Sequence, residues 1–326
     1  MEEPKKRQHY VFQGYLKAWS NSNQLFLFDK SESKIRKVDP KSILFKKFFY
    51  EIKPISENAK IFLDKLFDIL KTHPLNKIQI SETIELTQKT IISSLEYSSN
   101  NANKINDQSL KKSIIDSKNL IEDFYQKYEQ IGAKLLQNLK NGDCDFCYKR
   151  GDELKDFLLF LSIQHMRTLK KRICTIKMVE QICKKILIQP QLNKDDIEVV
   201  AFYIQLIFSN LLATYFKPES TQIAIIRNNS SLPFFTSDQP IFSLEKNDSQ
   251  NDDWTYFYPI SPTVAITVNK RKVVTNFEND HYKDIIMEID DINRIKNLNE
   301  QIVKNAFRFV ISNNEKYLKD YVNWQK

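Results

Sequence analysis

The sequence predicts an α+β fold, and three observations predict it. Strand-like apolar runs cluster near both ends of the chain, at residues 25–50 and after residue 217. The long middle stretch instead keeps the three-and-four spacing of amphipathic helices. Runs of helix beside runs of strand, without strict alternation, argue against a parallel βαβ sheet.

The elements follow in order. Residues 9–19 place Val11, Tyr15 and Trp19 four apart, which fits a short amphipathic helix. Leu25 to Asp29 reads as a strand, residues 31–33 as a turn and Ile35 to Val38 as the return strand, with a further aromatic run from Phe45 to Tyr50. From 56 to 216 the pattern is helical: Phe62, Leu63, Leu66, Phe67 and Leu70 share one face, and further helices are expected over 109–138 and 152–187. The polar stretch 98–106 separates two of them. Phe157 to Leu161 is apolar on nearly every face, so the middle of the 152–187 helix should be buried. After Pro218 the period changes. Residues 223–226, 234–236, 254–260, 264–268 and 307–311 read as strands, with a closing helix over 289–305. The expected organisation is one α+β domain over residues 1–326. It has an N-terminal helix and β-hairpin (1–55), a large helical region (56–216) and a β-rich region (217–326), the last a mostly antiparallel sheet with a closing helix.

Composition narrows the function. With 326 residues, 41% hydrophobic and 28% charged, the chain can bury a large core. Only 4 glycines occur, so neither G-x-G-x-x-G nor G-x-x-x-x-G-K-[ST] can be written, which removes Rossmann dehydrogenases, protein kinases and P-loop NTPases. The formal charge of +8 favours an acidic partner and makes nucleic acid the candidate, although a lysine-rich surface also serves solubility. The first residues lack the apolar stretch of a signal peptide and no run of 18 apolar residues occurs, so a cytoplasmic protein without membrane contact is expected. Cys144 and Cys147 have the spacing of half a zinc site, but no second pair follows. The four cysteines are expected to be free thiols in a reducing compartment, with no metal ligands assigned. A divalent metal as cofactor is left open.

The chemistry-bearing residues are few. Phe157, Phe160 or Leu161, Gln164, Arg167 or Thr168, and Lys171 form one stripe of the expected 152–187 helix. A guanidinium entering the interior at Arg167 needs an anionic partner, since an unpaired buried charge is very costly. Ser237, Asp238 and Gln239 interrupt two aromatic segments before Pro240, which makes a defined corner. Asp238 suits Arg167 as a partner, and it equally suits capping its own turn. His9 and Gln13 lie four apart in an aromatic-rich segment. A histidine titrating near about 6.5 could serve as general base or acid. It could equally be a hydrogen-bonded core residue.

Taken together these segments resemble a known family. His9-Tyr-Val-Phe-Gln13 is similar to the His-Tyr-Val-Pro-Gln opening of a bacterial family, domain of unknown function 4238. Phe48-Phe-Tyr50, Gln164-x-x-Arg167, Thr236-Ser-Asp-Gln-Pro240 and Tyr258-Pro-Ile-Ser-Pro262 fit the same pattern in order. Phe12 stands where the family has proline, which leaves the backbone free to continue a helix. The resemblance implies a shared site with His9, Gln13, Gln164, Arg167 and Asp238 as polar members, and no settled activity. Two readings result. One is a nuclease-like, nucleic-acid- or nucleotide-directed hydrolase serving antiviral defence: His9, Arg167 and Asp238 would be catalytic, and Gln13, Gln164, Lys171 and Ser237 would bind substrate. The other is a non-enzymatic interaction protein, in which the same residues form a buried network that specifies the fold.

Overall fold

The computed structural model describes residues 4–69, 81–82, 84–93, 108–149, 151–185, 192–244, 255–270 and 286–324. His73, His281 and the polar stretch 98–106 lie outside them. The N-terminal part contains β1 (Arg7–His9), α1 (Gln13–Leu16), β2 (Leu25–Asp29), β3 (Lys34–Val38) and β4 (Phe45–Lys47). Helices follow: α2 (Glu57–Ile69), α3 (84–93), α4 (Gln108–Asn141), α5 (Asp145–Lys149), α6 (Asp152–Met166), α7 (Leu169–Lys185) and α8 (Lys194–Tyr215). The last part holds β5 (Thr221–Asn228), β6 (Thr236–Ser237), β7 (Phe242–Ser243), β8 (Thr255–Pro259), β9 (Val264–Lys270), β10 (Ile286–Ile289), α9 (Ile292–Asn305), β11 (Phe309–Ser312) and α10 (Glu315–Trp324). The fold is α+β.

Contacts divide the chain into two compact units. A helical unit comprises residues 1–8, 46–127 and 169–208; a mixed unit comprises 9–45, 128–168 and 209–326. In the helical unit Gln88 is buried, and its amide carbonyl accepts from the Ile55 N–H at 2.7 Å while its NH2 donates to the Tyr203 hydroxyl at 2.9 Å. Arg172 there lies over the Phe202 ring at 5.6 Å and donates to the Glu198 carbonyl at 2.9 Å, so its charge is solvated by π-electrons and backbone in place of water. α8 is long and apolar enough to cross a membrane by composition, and half of that apolar window is buried inside the protein.

The mixed unit contains both larger sheets. One has the order β10-β5-β9-β8-β7 and is antiparallel except for the parallel pair of β10 with β5. The second, β3-β2-β11-β6, is antiparallel throughout. The expected N-terminal hairpin is present as β2 and β3, with Leu25 opposite Val38, but it is not a separate subregion. β11, nearly 300 residues later, pairs along β2 with Ile311 opposite Leu27. Between the strands Phe234, Phe235, Phe257, Ala265, Ile295 and Val310 are fully buried.

Two expected helices are corrected. Residues 9–19 do not make one helix. Phe12 has φ −51° and ψ 120°, an extended conformation within proline's own range of φ, so α1 begins only at Gln13. Val11, Tyr15 and Trp19 are nevertheless all buried, as their spacing demanded. The expected 152–187 helix breaks after Met166. Arg167 keeps its N–H on the Ile163 carbonyl at 2.9 Å, but ψ rotates to −3°, and Thr168 turns its hydroxyl to Gln239 at 2.9 Å. A tertiary hydrogen bond here outweighs helix continuation.

Candidate functional site

The site is built along a seam between α6 and the last turns of α4, all within the mixed unit. Two contacts define it. The buried Phe160 ring covers Gly132, where an added Cβ would sit 2.4 Å from the ring. Near the end of α6, the Arg167 guanidinium pairs with the Glu129 carboxylate, the two side chains being 2% and 17% exposed. A buried arginine holding a carboxylate satisfies the requirement read from the sequence, with a different partner. Gln164 lies on the same face between Phe160 and Arg167. It is 1% exposed, and both its amide oxygen and its nitrogen take no hydrogen bond from any described residue.

Tyr258, from β8, is the second unsatisfied group. Its hydroxyl is buried and has no hydrogen-bond partner among the described residues. Burial raises its pKa well above that of an ordinary phenol, and the charges of Arg167, which lowers it, and Glu129, which raises it, both reach the ring. Its ring stacks on Tyr15 at 5.0 Å and 22°. The Tyr15 hydroxyl bonds with the Thr236 hydroxyl and donates to the Pro259 carbonyl at 2.8 Å. Phe12, one turn before Tyr15, meets Phe160 edge-on at 6.4 Å. Four of the five segments that carry the resemblance therefore lie in the mixed unit, and Phe48-Phe-Tyr50 lies in the helical unit.

What those four converge on is a buried stretch of chain. Residues 232–242 are all buried, yet only Thr236, Ser237 and Phe242 belong to strands, so most of their backbone groups must find partners elsewhere. Side chains supply many of them. Trp19 donates its indole N–H to the Phe234 carbonyl at 2.9 Å. Asn299 of α9 accepts from the Phe235 N–H and donates to the Pro233 carbonyl, both at 2.9 Å, and Asn228 donates to the Leu232 carbonyl at 2.7 Å. Asp238 works outward: its carboxylate accepts from the N–H groups of Phe307 and Arg308 at 2.8 Å each and of Phe309 at 3.2 Å, fixing the start of β11. Burial raises the Asp238 pKa, and the three N–H bonds oppose that rise without cancelling it.

Each residue singled out in the sequence can now be placed. Asp238 is not the partner of Arg167; its oxygens are taken by the backbone of 307–309, which no side-chain spacing could reveal. Ser237 donates to the Gln239 carbonyl and accepts from the Gln239 N–H, both at 3.0 Å, so its hydroxyl is committed to its own turn. His9 is half-buried at the end of β1 with its ring 5.6 Å from Phe45, and Gln13 is half-buried at the first position of α1. Lys171 lies on α7 in the helical unit, where burial lowers its pKa, and the other six lie in the mixed unit. Glu129 and Tyr258 were missed as site members, and Thr168 was read only as an alternative to Arg167 on the stripe. Glu129 is one of four carboxylates on the long amphipathic α4 and carries no local signal, whereas Tyr258 opens a motif already noted. Among the described residues no group of three or more His, Cys, Asp or Glu side chains could hold a metal ion, and Cys144, Cys147, Cys174 and Cys183 form no disulfide.

The family model described as "Protein of unknown function (DUF4238)" matches residues 7–316. No curated protein and no solved structure matches the chain.

Proposed function

The chain belongs to the DUF4238 family, which assigns no activity, and we propose from the site that it is a non-enzymatic interaction protein whose polar set holds the mixed unit in one conformation. One observation carries this reading: the motif side chains are spent on the backbone of a buried, irregular stretch. Asp238 alone accepts three N–H groups, and Trp19, Tyr15 and Thr168 each bond to residues 232–239 or their neighbours. A carboxylate so engaged is poorly placed to orient a phosphate. Stability measurements on Thr168→Val, Asp238→Asn and Gln239→Leu test it. An architectural role predicts that all three lose stability; variants that melt like wild type would remove the argument.

A second reading keeps the nucleotide- or nucleic-acid-directed hydrolase, serving defence. The net charge of +8 and the placement of Arg167 beside two unsatisfied polar groups favour it. Arg167 would exchange Glu129 for a phosphate, and His9 would act as base. Cleavage of labelled RNA, DNA and nucleotides that depends on His9 would establish this reading over the first.

A further inference from the structure

The helical unit carries a motif that the clasp leaves unused, Phe48-Phe-Tyr50. Tyr50 is buried there, edge-on to Tyr125 at 4.7 Å, and belongs to the core. Phe48 is only half-buried and has φ 52°, in the left-handed region that residues other than glycine seldom adopt. Cations surround it. Its N–H donates to the Lys6 carbonyl at 3.0 Å, Lys46 and Lys47 precede it in the chain, and the Lys118 ammonium of α4 lies 5.2 Å from its ring. These segments are held together by polar contacts. The Lys5 N–H donates to the Asn119 side chain at 2.8 Å, and the Tyr50 N–H donates to the Gln8 amide carbonyl at 2.6 Å. Lys6, Lys46 and Lys47 are exposed and form no ion pair with any described residue. We propose that Lys6, Lys46, Lys47, Lys118 and Phe48 form a binding surface for single-stranded nucleic acid.

The class follows from the two kinds of group present. Exposed ammonium groups on neighbouring segments suit a row of phosphates, whose binding releases counterions. An aromatic ring among them suits an unpaired base, because every base has a face that can stack. Lys118 can move from the ring to a phosphate as a base takes its place. Its other contact, Glu51 at 3.5 Å, is a surface pair with both side chains more than one-third exposed, and it holds the ammonium weakly. A duplex keeps its bases paired and stacked, which leaves Phe48 without a partner. An acidic peptide matches the lysines but not the ring. An anionic bilayer takes up aromatic side chains that project from the surface, whereas Phe48 and Phe49 are both half-buried. The inference rests on the reading of the chain as an interaction protein and supplies its partner, but it uses none of the mixed-unit residues that carry that reading.

The test is fluorescence anisotropy of labelled oligouridylate and oligothymidylate with the full chain across a salt series, beside the matching duplexes and phosphatidylserine vesicles. The single strands are expected to bind best. Four phosphate contacts at about 0.7 each predict a log–log salt slope of about −3. Lys46→Ala combined with Lys47→Ala should make that slope shallower by about 1.4, and Phe48→Leu should weaken binding about tenfold at an unchanged slope. Lys34→Ala combined with Lys41→Ala, two exposed lysines of the mixed unit, should bind like wild type. If Phe48→Leu folds poorly, the Lys46 and Lys47 pair, at two exposed positions, decides together with the preference for single strands. Four results would overturn the proposal: no single strand binds at low salt, duplexes or vesicles bind as well, the Lys34 and Lys41 pair loses as much as the Lys46 and Lys47 pair, or a well-folded Phe48→Leu binds like wild type. Such a failure would leave the clasp standing, because thermal melting of the mixed-unit variants tests that separately.

Discussion

Replacing Asp238 with alanine isolates the strongest joint of the clasp. The substitution removes both carboxylate oxygens and leaves the N–H groups of Phe307, Arg308 and Phe309 without the acceptor they hold at 2.8, 2.8 and 3.2 Å. Each stranded donor costs about 1–3 kcal/mol when water cannot reach it. Here the lower end applies, because Phe307 is 43% exposed and its amide can rehydrate on local opening. About 1 kcal/mol for each donor gives a loss of about 3 kcal/mol. At about 2 °C per kcal/mol for a large domain, that corresponds to a fall of about 6 °C. Asp238→Asn keeps one acceptor oxygen and should lose about half as much. Urea denaturation followed by near-ultraviolet circular dichroism measures the loss, and amide exchange at 307–309 locates it. A stability within about 1 kcal/mol of wild type, with unchanged exchange at those three amides, would refute the reasoning.

Other outcomes follow from the same geometry. Arg167→Met and Glu129→Met should each destabilise by about 3–5 kcal/mol by stranding a buried charge, whereas the double variant should recover most of the loss; equal losses in all three would show that the pair is not coupled. Asp29, fully buried and bound by Arg308 through Nε at 3.0 Å and Nη2 at 2.7 Å, has its pKa held well below the ordinary carboxylate value, first by those hydrogen bonds. Its stabilisation is therefore complete above about pH 4 and lost as pH falls through the depressed value, so an acid melt should be less steep in Asp29→Asn. Asp238 acts in the opposite sense: with its pKa raised, its linkage contribution is present at low pH and lost as pH rises through the folded value. Gly132→Ala would place a methyl group 2.4–2.6 Å from three atoms of the fully buried Phe160 ring, and a loss of about 1–2 kcal/mol is expected after the gain in helix propensity is deducted; an unchanged melt would mean that the seam yields.

Much of this molecule could be read from periodicity. Leu25 to Val38 announced a hairpin because apolar runs and a turn sit at hairpin spacing, and α4 and α9 announced themselves through their faces. The misses share a cause. α6 ends at Met166 because Thr168 bonds to Gln239, 71 residues away, and the hairpin gains β11 from the far end of the chain. Non-local partners leave no trace in a local window. The same holds at the site: the cost of burying Arg167 implied an anion, but Glu129 and Asp238 were equally eligible until the chain was folded. Phe12 is instructive in the other direction. A residue expected to free the backbone instead adopts φ −51°, because its surroundings and not its side chain set that angle.

The measurement that bears most directly on the central claim is hydrolysis of labelled RNA, DNA and nucleoside triphosphates by the full chain, with and without divalent metal, with His9→Gln and thermal melts alongside. An interaction protein whose polar residues clasp residues 232–242 predicts no turnover above the blank. Turnover that His9→Gln abolishes while leaving the melt unchanged would contradict it.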